Sequence, residues 1–138
     1  MEVNEMKTAS KLGLILTLAL VLTVIVSSAG LTQEMNDKDY NQYLLKMLND
    51  DNLGIRSSAA QLLGERKVQE AVKPLAKMLK SEKHYAVRIM VALALYQIGT
   101  EEVLPVLKDR AKRDSNKTVR HVLAGLIESM ETNQYAKK

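Results

Sequence analysis

Three arginines stand 32 residues apart, Arg56, Arg88 and Arg120, and the residues around them repeat in step without a gap. Six positions before each lies an acid (Asp50, Glu82, Asp114), and four before lies a residue able to cap a helix or start a turn (Asn52, His84, Asn116). One before is β-branched (Ile55, Val87, Val119), four after is alanine (Ala60, Ala92, Ala124), and seven after is Leu63, Leu95 or Ile127. Nineteen after the first two arginines come Leu75 and Leu107. Such a period constrains the fold more than any other feature. A unit this short cannot bury its apolar face alone and must stack on its neighbours.

Each unit reads as two helices. After Asn52, the residues Ile55, Ala59, Leu62 and Leu63 form an apolar stripe at helical spacing. Gly64 is expected to stop that helix, and Gly99 to stop the next one three places later in its own unit. Thr100 can cap the second helix of the middle unit, with Glu101 and Glu102 suited to the positive end of its dipole. Pro74 and Pro105 fall in first turns, where a missing N–H costs little. Val72, Leu75 and Leu79 form the inward stripe of one second helix, and Leu104, Leu107 and Ala111 that of the next. Asp39–Leu48 fits a second helix lacking its first, and Lys117–Met130 a first helix lacking its second. Two complete units thus lie between two half-units. Tyr43 falls where Leu75 and Leu107 do and is expected in the core. Phe and Trp are absent, so Leu, Val, Ile, Ala and Met must fill that core, which suits closely stacked helices.

Residues 1–30 read as a membrane address. Leu12–Val26 is an uncharged apolar run of 15 residues, preceded by Lys7 and Lys11 and followed by Ser27, Ser28, Ala29 and Gly30. That order is that of a secretory signal peptide cut near Ala29 or Gly30. An uncleaved anchor over Leu12–Gly30 is the alternative. Either route leaves Lys7 and Lys11 inside and residues 31–138 outside the cytoplasm, periplasmic or secreted if cleaved. The remaining chain divides into a linker (31–38), a repeat domain (39–131) and a polar tail (132–138).

An acid in the turn, Val-Arg, alanines, Leu-Gly and a proline opening to the second helix resemble the HEAT-repeat family, in particular the short repeats of phycobilisome lyases. The resemblance covers about residues 39–131. It implies a short right-handed α-solenoid of antiparallel helix pairs, about six helices, after the N-terminal hydrophobic helix. It also implies that arginines and turn acids form a ladder along the stack, with Asp50, Arg56, Glu82, Arg88, Asp114 and Arg120 as its components here. The arginines are then structural. In such solenoids the second helices line the concave face on which partners dock.

Catalytic chemistry finds little support. There is no cysteine, so thiol nucleophiles and thiolate metal sites are excluded. The two histidines, His84 and His121, lie in different repeats without metal-ligand spacing; His84 is expected to cap a helix. The acid pairs Asp50-Asp51 and Glu101-Glu102 stand at helix starts, where the dipole alone favours them. No phosphate loop or nucleophile elbow occurs. No enzyme activity, metal or cofactor is expected.

One surface feature remains. Lys73, Lys77 and Lys80 share a helix face, and Lys108 and Lys112 occupy the corresponding helix of the next unit. The row is either a solubilising surface or a docking face. The leading expectation is an exported, non-enzymatic interaction module that holds a protein partner on the concave face. Alternatives are a membrane-anchored module contacting anionic lipid or an acidic polymer, and an accessory protein of the chromophore-lyase or chaperone kind. The ends of so short a stack also favour a homodimer. The net charge of +4 is too small to argue for nucleic acid, and aromatic platforms are lacking.

Overall fold

A computed structural model describes residues 36–135, and the address read in residues 1–30 lies outside them. Six α-helices follow one another: α1 (Asp37–Met47), α2 (Leu53–Glu65), α3 (Val72–Ser81), α4 (Tyr85–Ile98), α5 (Val103–Arg113) and α6 (Lys117–Tyr135). A single 3-10 turn, Gln69–Ala71, leads into α3. The described chain is all-helical, as the 32-residue period requires, and forms a short α-solenoid. Helix α1 begins inside the expected linker, and α6 runs into the expected polar tail.

The packing unit differs in phase from the sequence unit. Each helix of the second type packs chiefly on the helix that follows it: α1 on α2, α3 on α4, α5 on α6. The three hairpins then stack through α2, α4 and α6, with α4 in the middle. Two units flanked by halves are therefore three whole hairpins. The turns inside the hairpins are short and carry the helix caps. The connections between them, Arg66–Ala71 and Gly99–Glu102, only join neighbours.

The core runs through the stack as one cluster. Leu63, Leu75, Leu79, Leu95, Leu107 and Leu123 are fully buried, with Val87, Val91, Val103 and Val119 between them. Both prolines stand third in their helices, Pro74 in α3 and Pro105 in α5. There they remove donors that have no partner inside the helix.

Several local expectations need correction. Gly64 does not stop α2; it lies buried within the helix, where a Cβ would come 2.6 Å from the Ala94 Cα. It lets α2 and α4 approach. The stop is a Schellman turn at Lys67 (φ 52°): the Lys67 N–H donates to Gly64 O at 2.9 Å and the Val68 N–H to Leu63 O at 3.0 Å. Leu63 and Val68, buried, complete it. Gly99 does end α4, at φ 68°. Thr100 caps nothing: its Oγ1 is buried without a partner, and α5 begins at Val103. His84 holds the extended cap conformation, but its side chain accepts no hydrogen bond.

Tyr43 is not core; it is 47% exposed, and Leu44 and Leu48 are buried instead. Leu48 precedes Arg56 by eight residues, whereas Leu79 precedes Arg88 by nine, so the buried face of α1 is shifted by one residue; the turn after it, residues 48–52, is longer than the turns 82–84 and 114–116. Tyr43 stacks on Tyr40, with ring centroids 6.4 Å apart, and Arg66 covers the Tyr40 ring.

Candidate functional site

The arginine positions form one repeated device. The Arg56 Nη1 donates to the carbonyls of Asp50 and Asp51, both at 2.9 Å, and its Nε reaches Glu82 Oε2 at 3.0 Å. The Arg88 Nη1 donates to the carbonyls of Glu82 (3.1 Å) and Lys83 (2.8 Å). Its Nε and Nη2 grip both oxygens of Asp114 at 2.8 Å. The Arg120 Nη1 donates to the carbonyls of Asp114 (2.7 Å) and Ser115 (3.1 Å). Each arginine thus ties down the turn before its own helix, and the first two also hold the acid of the following turn. A planar fork with donors on three nitrogens is what this needs.

The acids shape the turns as well. Asp50 Oδ1 accepts from the Asn52 N–H at 2.8 Å, Glu82 Oε1 from the His84 N–H at 2.9 Å, and Asp114 Oδ1 from the Asn116 N–H at 2.8 Å. Asn52 and Asn116 then cap α2 and α6, each oxygen accepting two backbone N–H groups. The carboxylate of Asp50 meets no arginine among the described residues.

Among the described residues, Arg88 and Asp114 are the two buried charged ones, 5% and 3% exposed. Burial pushes the Asp114 carboxyl up, but the donors from Arg88, the Asn116 N–H and Arg110 outweigh it and hold it at about 2, below the usual 3.8. Glu82 is also held below its usual value: the His84 N–H and Arg56 together outweigh its burial. Arg110, at 2.7 Å from Asp114, was not anticipated as a ladder member, although its i,i+4 spacing to that acid is visible in the sequence. All these groups are consumed in holding turns together.

The lysine row lies on the surface. Lys73, Lys77, Lys80, Lys108 and Lys112 are all exposed, the first three on α3 and the others on α5. Lys108 pairs with Glu131 at 2.7 Å. Asp109, which interrupts the row, is taken by Arg113 at 3.0 Å. Lys73, Lys77, Lys80 and Lys112 form no ion pair among the described residues. Lys73 and Lys77 edge a groove of about 720 Å³ that continues past Met78 to Asp50, Asp51 and His84. A smaller, more apolar groove of about 340 Å³ lies at the other face of the first hairpin, between Tyr40, Tyr43, Met47, Ile55 and Leu62. No group of three or more metal-ligating side chains occurs among the described residues, and no described helix is long and apolar enough to cross a membrane.

The family model for HEAT repeats matches residues 29–127. The chain belongs to the HEAT-repeat family. Of characterised members, a HEAT repeat-containing taxis protein of Halobacterium salinarum is 34% identical over 84 residues, 58% of this chain. This HEAT-repeat chain spans only 21% of that relative's length. The family fits the stacked helical hairpins, and repeats of this kind commonly mediate protein interactions.

Proposed function

We propose that this HEAT-repeat protein is a non-enzymatic interaction module working outside the cytoplasm, which docks an acidic protein partner on the face of α3 and α5. The observation that carries the reading is the row Lys73, Lys77, Lys80 and Lys112, cationic, exposed and without an ion pair among the described residues. Lysines kept only for solubility would be interspersed with acids, as Lys108 is with Glu131. The apolar run Leu12–Val26 supports export. A reporter fused after Lys138 should therefore work outside the cytoplasm and fail inside; the reverse removes the export reading.

The docking test begins with an unbiased pull-down by the full chain. Charge reversal of Lys73, Lys77, Lys80 and Lys112 to glutamate should abolish capture while the melting temperature barely moves, because exposed substitutions shift stability by about 0.5 kcal/mol or less each. Capture should also weaken with salt, since exposed charges are screened beyond about 8 Å at physiological ionic strength. Equal capture by the reversed chain refutes docking on this face. Binding to phosphatidylserine vesicles without any protein partner would transfer the row to a membrane surface.

A further inference from the structure

The described chain begins with a helix of the second type, α1, and ends with one of the first type, α6. Among the described residues, an α1–α2 hairpin set after α6 follows the same alternation of helix types. Equivalent positions show how the two ends differ from the interior. The β-branched residue before each arginine is buried at Val87 and Val119, which have a hairpin before them, but Ile55 is 41% exposed. The alanine four places after each arginine is buried at Ala60 and Ala92, which have a hairpin after them, but Ala124 is exposed. Ile55 and Ala124 are therefore exposed at the two ends where their equivalents inside the stack are buried.

The ladder is interrupted at the same two ends. Arg56 and Arg88 each hold the acid found 26 residues later, Glu82 and Asp114. Arg120 uses only Nη1, on its own turn, and its Nε and Nη2 meet no acceptor among the described residues. At the other end Asp50 holds its turn through the Asn52 N–H but receives no arginine there. One end has an arginine fork lacking its acid, and the other an acid lacking its fork.

We propose that a second copy of this chain stacks head to tail on the first. The α1–α2 hairpin of the copy takes the place behind α6 that α3–α4 takes behind α2. Its Asp50 enters the fork of Arg120, and its Ile55 covers the α6 surface around Ala124. The contact is heterologous, joining two different surfaces, so further copies can add in the same sense. It buries apolar surface at both ends and completes a charge-assisted pair with two-pronged geometry.

Because the chain contains no cysteine, the pairing can be read directly. Full-length Asp50→Cys and Arg120→Cys chains, mixed and treated with a bismaleimide that spans about 8–10 Å, should give a cross-linked dimer, while neither alone does. A direct disulfide would be too short, because an arginine–aspartate pair holds its Cα atoms beyond the ~7 Å limit. A dimer from either variant alone means a symmetric contact, and no dimer from the mixture means something else covers Ile55; both overturn the proposal. Charge exchange guards against a variant that folds poorly. In sedimentation Arg120→Glu and Asp50→Arg should each weaken self-association at least tenfold, and their equimolar mixture should recover a dimer. Unchanged association of Arg120→Glu, or no recovery on mixing, also overturns it.

Discussion

Gly64 of α2 sits against Ala94 of α4 so closely that a methyl group on it would stand 2.6 Å from the Ala94 Cα and 2.9 Å from its Cβ. The obstacle is partly backbone, which cannot rotate away. Gly64→Ala should therefore lower stability by roughly 1–3 kcal/mol through overpacking, despite the better helix propensity of alanine. Gly125 in α6 is the control, since a Cβ there meets nothing within 4 Å. Gly125→Ala should raise stability by about 0.5–1 kcal/mol. Denaturant midpoints of the two variants, moving in opposite directions, check the pair.

Lys67 occupies the left-handed position that ends α2, with φ 52° and its side chain exposed. A side chain pays a conformational penalty there of about 1–2 kcal/mol, which glycine avoids. Lys67→Gly should raise the melting temperature, and Gly99→Ala, at φ 68°, should lower it. Thermal unfolding by circular dichroism measures both.

The ladder predicts a graded response. Arg88 is buried and grips both oxygens of a buried carboxylate, so Arg88→Ala should cost about 3 kcal/mol, near the low end for a broken buried pair because Arg110 still holds Asp114. Arg56→Ala should cost less, as Arg56 is partly exposed and contacts only one oxygen of Glu82. Arg88→Lys should recover only part of the loss, since lysine lacks the fork. Urea titrations that placed Arg56→Ala below Arg88→Ala would contradict this order.

Acid should unfold the stack through Asp114 and Glu82. Both carboxyls titrate lower in the folded chain than in the unfolded one, so their contribution is fully present above the unfolded values of 3.8 and 4.5. For Asp114 it is lost as pH falls towards about 2. Stability of the wild type should thus drop steeply over that window, and Asp114→Asn, already less stable at neutral pH, should show a shallower slope. Urea midpoints measured from pH 6 to pH 2 give the comparison.

The sequence by itself determined the helical repeat and its 32-residue period, because these rest on residue type and spacing alone. Asn52 and Asn116 could be read as caps for the same reason: a cap is a local hydrogen bond. The ladder was an implication of the family resemblance, and Arg110 was missing from it. The rotation of α1 that exposes Tyr43 was not legible: the 32-residue register places Tyr43 with Leu75 and Leu107, and only the packing shows Leu44 and Leu48 buried in its stead. The tertiary structure alone decided which acid each arginine holds. Arg88 chooses Asp114, 26 residues ahead, over Glu82, six behind, because stacking brings the next turn to its Nε and Nη2 while its own turn offers only carbonyls. Gly64 likewise serves a neighbouring helix, so no local pattern separates it from a helix stop. The pairing into three hairpins, and the bare ends that Ile55 and Ala124 mark, depend on which faces meet. That is a property of the stack, and a period read along one chain carries no record of it.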